Sequence, residues 1–292
     1  MFNYQKTIRI TSPSRISLKL TVDSHGWVDL VPWAWDESSG KLSRYDLIGP
    51  NLEGMITVEQ TSPTALELTV DANKPVNDLS GARDLVIRWL SIDWSPNDAI
   101  VVAGQLDRRI SKLLEIGAGR MLRGSTFYED FVKTICTIQI NWSGTKRMLN
   151  SLMELRGTNF FPTPVDILSV GEQNLRQKAK LGFRATTLIK STDKMLSQGW
   201  IDDYGNSLHD SISKEVLIGL NGIGPYSADH MRVLQRDFSS IPVDSVVSKY
   251  CKERYGIESD EISSFFDPWG SYRFLGYRLD RIARRLENKL PN

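Results

Sequence analysis

Two glycines flank one apolar residue at Gly222-Ile223-Gly224, and the chain then runs through Pro225 into Tyr226-Ser227-Ala228. Such a turn can enter a helix with its first amides uncovered, because those N–H groups have no partner inside the helix. Uncovered amides with the helix dipole behind them form a grip for a phosphate or another anion. A carboxylate follows in Ile241-Pro242-Val243-Asp244, 20 residues past Gly224. A carboxylate near a bound anion can stabilise positive charge that develops during a reaction, or help activate water. Asp244 also has a plainer use, since an aspartate at a helix start is a good N-cap.

The elements that must position these residues fall into two kinds. Short β-rich apolar runs occur at 7–10, 16–22, 27–33, 55–58 and 65–70, separated by turn chemistry such as Ser12-Pro13-Ser14 and Glu37-Ser38-Ser39-Gly40. They read as an antiparallel sheet. From about Leu79 the apolar period becomes helical, first through Ala82, Leu85, Val86, Trp89 and Leu90. Further helices are expected at 110–116, 127–140, 142–155, 164–170, 172–181, 184–198, 211–220, 225–238 and 243–255, with a last one near 272–288. The expected fold is α+β: an N-terminal antiparallel β-rich unit over 1–100, then a mostly α-helical unit over 101–292 with the hairpin at about 211–238.

The glycine turn, the Ser-Ala pair and the Pro-Val-Asp step together resemble the helix-hairpin-helix, Gly/Pro, Asp (HhH-GPD) superfamily of DNA base-excision glycosylases. Pro268-Trp269-Gly270-Ser271-Tyr272 is similar to a Pro-Trp-x-Ser-Tyr string of its bacterial 3-methyladenine glycosylase II branch. A β-rich domain ahead of a helical one also resembles that branch and, more distantly, the 8-oxoguanine glycosylases. The resemblance implies that Asp244 is the catalytic carboxylate and that Gly222, Gly224 and Ser227 hold a DNA phosphate. It implies that the carbonyls of Ile218, Leu220 and Ile223 can ligate Na+ or K+. Bifunctional members carry a lysine two residues past the second glycine. Here that residue is Tyr226, so no imine can form and hydrolysis by water is implied.

Tyr226 then corresponds to an aromatic on which a flipped base stacks. Gln139 and Ile140 match the polar plug and apolar wedge that fill the gap a flipped base leaves. Trp142, His230 (one turn beyond Tyr226) and Tyr277 are candidate pocket walls, although each would serve equally as a packed core residue. Where an aromatic lines the pocket of alkyl-purine members, this chain has Arg278. Lys249 is placed to reach DNA phosphates or to face solvent on a helix. His25 and His209 read as turn or surface residues. The function implied is monofunctional removal of alkylated purines from double-stranded DNA, with oxidised purines or binding without catalysis as alternatives.

Composition narrows the classes. Lys and Arg number 36 against 35 Asp and Glu, a balance that by itself does not suggest a nucleic-acid binder. The charge is unevenly spread: the first 105 residues hold 9 basic and 13 acidic groups, so the half with the hairpin is the positive one. Two cysteines, Cys136 and Cys251, cannot ligate a four-cysteine iron–sulfur cluster, and read as reduced thiols. The three histidines and two cysteines lack zinc-ligand spacing. No apolar run approaches a membrane span and the first residues do not resemble a secretory signal. A cytoplasmic monomer is expected, nucleoid-associated in a bacterium.

Overall fold

The computed structural model describes residues 2–49, 52–209 and 211–287. Five strands form one antiparallel sheet: β1 (Tyr4–Thr11), β2 (Ala34–Asp36), β3 (Lys41–Gly49), β4 (Leu52–Ser62) and β5 (Ala65–Ala72), in the spatial order β1-β5-β4-β3-β2. Side chains alternate along β3, so Leu42, Arg44, Asp46 and Ile48 share the buried face. Leu66, Leu68 and Val70 of β5 and Ile56 and Val58 of β4 complete that face.

Helices then cover the sheet and build the rest of the molecule. They are α1 (Leu18–Val22), α2 (Ser80–Leu90), α3 (Asn97–Leu106), α4 (Arg108–Glu115), α5 (Phe127–Thr137), α6 (Trp142–Arg156) and α7 (Pro164–Gln177). There follow α8 (Arg184–Ser197), α9 (Lys214–Ile218), α10 (Pro225–Leu234), α11 (Ser245–Tyr255), α12 (Ile262–Phe265) and α13 (Arg273–Glu287). An antiparallel β-sheet domain followed by a mostly helical one is therefore the architecture. One continuous apolar core runs through both, from Ile10 and Ile56 to Leu275 and Ile282.

Two of the expected strands are not strands. Ile16, Leu18, Leu20 and Val22 alternate, but Leu18, Thr21 and Val22 are the residues buried, at helical spacing. The Ser17 side chain accepts the Leu20 amide and starts α1. The 27–33 run is instead a 3-10 turn, Gly26–Asp29, followed by Leu30 and a proline corner. Its tryptophans look inward separately: Trp27 donates to Asp130 at 3.0 Å and Trp33 lies beside Trp89. The runs at 164–170 and 172–181 join as α7, broken at Gly171 by its left-handed φ of 75°. The helix before the glycine turn is shorter than expected, five residues at α9. Asn288, the expected end of the last helix, lies outside the described residues.

A buried ionic cluster ties the sheet to α5. Arg44 of β3 makes a two-pronged contact with Glu129, both bonds 2.9 Å, and Lys133 reaches the same carboxylate at 2.7 Å. Arg44, Glu129 and Lys133 are all buried, and Ser125 donates to the neighbouring Asp46. Because α5 leads directly into the 138–141 loop, this cluster sets where that loop stands relative to the sheet.

Candidate active site

Four segments meet around a cavity of about 920 Å³. They are the turn at 24–27, the loop after α5, the glycine turn with the start of α10, and one face of α13 together with the start of α11. Of the residues singled out from the sequence, Gly222, Gly224, Tyr226, Ser227, His230, Asp244, Gln139, Ile140, Trp142 and Tyr277 all line it. Lys249 does not. It stands exposed on α11, 3.8 Å from Glu253.

The glycine turn works as its residue types require. Gly222 has a φ of +74°, and a Cβ there would come within 2.6 Å of the Thr187 hydroxyl. Gly224 is the N-cap of α10 with no side chain capping it, and a Cβ there would meet nothing within 4 Å. The helix start is thus open on the side from which an anion would approach. Two different outcomes follow. Gly222→Ala should lower stability by about 1–3 kcal/mol through strain and the Thr187 clash. Gly224→Ala should cost within about 1 kcal/mol of stability but weaken duplex DNA binding about tenfold. Chemical denaturation and fluorescence anisotropy of the two variants would separate these effects; equal DNA affinity for Gly224→Ala and wild type would remove the phosphate grip from the account.

Three carbonyls near the turn were the candidate cation ligands. The Leu220 carbonyl already accepts the Ile223 amide at 3.3 Å. Between Ile218 and Leu220, the Gly219 carbonyl accepts the Lys194 ammonium at 3.0 Å. A Na+ or K+ here would therefore share its turn with a fixed positive charge. Among the described residues, no group of three or more His, Cys, Asp or Glu side chains could hold a metal ion. Both cysteines are free and buried.

Asp244 is both cap and candidate catalyst. Its Oδ1 accepts the amides of Val246 at 2.9 Å and Val247 at 2.8 Å at the start of α11. That fixes the carboxylate while Oδ2 has no hydrogen-bond donor among the described residues. Tyr226 and Tyr277 are close enough to feel the charge. Burial first, then Asp244, pushes the Tyr226 phenol up to about 12, and the same two causes help raise Tyr277, so both rings stay neutral. The Tyr277 hydroxyl accepts a hydrogen bond from Arg281 at 2.8 Å.

The loop after α5 projects into the mouth of the cavity. Gln139 has a left-handed φ of 49°, uncommon for a residue with a side chain, and Ile140 is 38 % exposed. A strained polar residue beside an exposed isoleucine at a cavity rim suits a plug and a wedge. Trp142 donates to Asp29 at 3.1 Å, and its ring lies so close to the Gly26 backbone that a Cβ there would come within 2.5 Å. The ring is thereby held against the turn at 24–27.

That turn supplies what sequence reading missed. His25 is no surface residue: it is half-buried in the cavity wall. Its Nε2 meets the Leu122 carbonyl at 2.7 Å, and its Nδ1 accepts the Trp27 amide. These partners fix the neutral tautomer, with the proton on Nε2. Trp27 lies 5.1 Å from the His230 ring, tilted to it, and Tyr226 stacks with that imidazole at 6.2 Å. Arg278, the position expected to be aromatic, lines the cavity as a half-buried cation bonded to the Asp23 carbonyl. Burial and the nearby Arg281 lower it to about 10.

His230 has an unbonded, buried Nε2, and burial lowers it to about 4. The unfolded chain takes up this proton near 6.5, the folded chain only near 4. Stability should therefore fall as pH drops from about 6.5 toward 4, and be full above that window. His25, also held well below its usual value by burial, adds in the same direction. His230→Phe should flatten the dependence of Tm on pH between 4 and 6.5; an unchanged slope would show that His230 protonates as freely folded as unfolded.

The glycine turn with its open amide end, the capped carboxylate and the 138–141 loop thus face one cavity. Residues 132–265 match the family described as HhH-GPD superfamily base excision DNA repair protein. Among solved structures, 8-oxoguanine glycosylase/lyase from Clostridium acetobutylicum in its apo form is 17 % identical, with a TM-score of 0.70 over 96 % of this chain and 98 % of that one. A 3-methyladenine DNA glycosylase from Archaeoglobus fulgidus is 16 % identical, with a TM-score of 0.71 over 96 % and 99 %. MBOgg1 in complex with a low-affinity DNA ligand is 18 % identical, with a TM-score of 0.69 over 98 % and 99 %. Comparison with curated proteins returned no match. At these identities the solved structures establish the fold. Among the described residues, no helix is long and apolar enough to cross a membrane.

Proposed function

We propose that the protein is a monofunctional DNA glycosylase of base excision repair, which flips a damaged purine out of duplex DNA and hydrolyses its N-glycosidic bond. The observation that carries this reading is Asp244: fixed through Oδ1, with Oδ2 unbonded, on the wall of a cavity that also holds the glycine turn and the 139–140 loop. Gly222, Gly224 and Ser227 grip the backbone, Ile140 enters the stack and Gln139 faces the unpaired partner base. The extruded base lies among Tyr226, Trp27 and Trp142. As the glycosidic bond lengthens, the sugar gains positive charge that Oδ2 of Asp244 stabilises, and water completes the displacement. The cavity is lined by no lysine among the described residues, which supports hydrolysis without an imine or strand cleavage. Two buried, unpaired thiols favour work in a reducing compartment, such as the cytoplasm, and the hairpin asks only for one protein copy per duplex.

An alkylated purine is the leading substrate, because aromatic faces around the cavity favour an electron-poor base that already holds its sugar weakly. A second reading, an uncharged oxidised purine, is favoured by Arg278: a half-buried cation in the wall opposes a cationic base. Incubation with alkylated genomic DNA and with 8-oxoguanine duplexes, followed by mass spectrometry of released bases, tests both. Release of 3-methyladenine or 7-methylguanine supports the first and release of 8-oxoguanine the second. No release from either, with duplex binding intact, would leave only a binding role.

A further inference from the structure

A second cavity, of about 340 Å³, lies away from the first, between α2, the 120–125 segment, the 206–209 turn and the end of α10. Three arginines line it: Arg88, Arg123 and Arg236, together with the carboxylates Asp84 and Asp93. Two of the arginines are committed. Arg88 pairs with the buried Asp130 at 3.0 Å and donates to the Gly124 carbonyl, and Arg236 pairs with Asp93 at 2.7 Å. Arg123 differs. It is only 8 % exposed, its Nε is buried without a partner, and its guanidinium has no hydrogen bond or ion pair among the described residues.

A buried guanidinium left unbonded is costly, since desolvation is not offset by any acceptor. Burial and the neighbouring Arg88 lower Arg123 to about 9, which is the same cost expressed as a proton equilibrium. An acceptor-rich anion would satisfy Arg123, and a planar guanidinium matches the oxygens of a phosphate two at a time. Arg236 sits at the rim in a left-handed conformation, φ 70°, so its backbone is held there by the surrounding turn. Asp84 and Asp93 oppose an anion, but Asp93 is neutralised by Arg236 and Asp84 is exposed to solvent.

We propose that this cavity is a second anion site, taking a phosphate group on Arg123 with Arg236 at its mouth. Along α10 it is about 15 Å from the glycine turn, ten residues at the helical rise, so the grip on the catalytic strand and this site are separate. The ligand is inorganic phosphate or a phosphate carried by a nucleic-acid strand; the chemistry that holds it is the same.

The test is titration of the full chain with inorganic phosphate, followed by phosphorus NMR and thermal unfolding, with chloride at matched ionic strength as control. With the glycine-turn grip weakened by Gly224→Ala as background, one saturable site is expected, raising Tm by about 5 °C at a hundredfold excess over Kd. Arg123→Met should abolish the rise, and Arg236→Ala, at the rim, should weaken binding about tenfold. If Arg123→Met does not fold, the Arg236→Ala titration and the wild-type NMR decide. Displacement of bound phosphate by undamaged duplex would assign the site to the DNA backbone, and co-existence of both would assign it to free phosphate. A chloride control that reproduces the full rise, or an equal rise in both variants, would overturn the proposal.

Discussion

Asp244→Asn should reduce single-turnover base release by about 10²–10³-fold while leaving duplex affinity within a factor of about two. The substitution removes the charge and little else. Asparagine caps helices about as well as aspartate, so the amides of Val246 and Val247 keep their acceptor and α11 keeps its start. Asp244→Ala would instead remove cap and charge together, losing about 1 kcal/mol of stability as well as activity. The pair of variants therefore separates the two roles of one side chain. Turnover by Asp244→Asn close to wild type would mean that another group stabilises the sugar cation, or that the protein binds without catalysis.

Glu129→Ala should be among the most destabilising single changes in the chain. It would leave Arg44 and Lys133, both fully enclosed, without their shared carboxylate, and strip the Ser125 amide of its acceptor. Breaking a buried ion pair from one side costs about 3–5 kcal/mol, far more than an exposed pair would. Urea unfolding measures it; a loss below about 1 kcal/mol would mean that water reaches the cluster. The same carboxylate gives a pH signature. Burial pushes Glu129 up, but Arg44 and Lys133 outweigh it and hold it down at about 2, against 4.5 unfolded. Its contribution is complete above pH 4.5 and is lost as pH falls toward 2. Glu129→Gln, which keeps the shape but not the charge, should remove that part of the acid dependence.

The Glu129 cluster also shows where sequence reading stops. Arg44 and Asp46 alternate with Leu42 and Ile48 on the inner face of β3, against every expectation that charges mark the solvent side. Only the fold, by bringing α5 across the sheet, supplies the partners. The glycine turn is the opposite case. Gly222 and Gly224 owe their roles to local backbone geometry, which the residue types declare without help from the rest of the chain. Asp244 and Tyr226 followed from their spacing to that turn and Gln139 from the family resemblance, and all three line one cavity. His25 and Trp27 could not be found that way. They reach the cavity from the N-terminal unit, about 200 residues from Tyr226 and His230 in sequence, through a 3-10 turn that alternation disguised as a strand. Their one visible signal was a tryptophan next to a His-Gly turn, which is common in cores. Arg278 was legible as a departure from an expected aromatic, and the structure adds that its charge stands half-buried in the cavity wall.

The proposed reaction is hydrolytic excision of a damaged purine without cleavage of the strand. The most direct measurement follows an end-labelled duplex carrying one alkylated purine through a single turnover. Half of each sample is treated with alkali before electrophoresis, and borohydride is added to a parallel reaction. The prediction is free base in solution, a strand that stays intact until alkali breaks it at the abasic site, and no trapped protein–DNA adduct. Strand breakage before alkali together with a trapped adduct would contradict it, because an amine would then be doing the work assigned to water and Asp244.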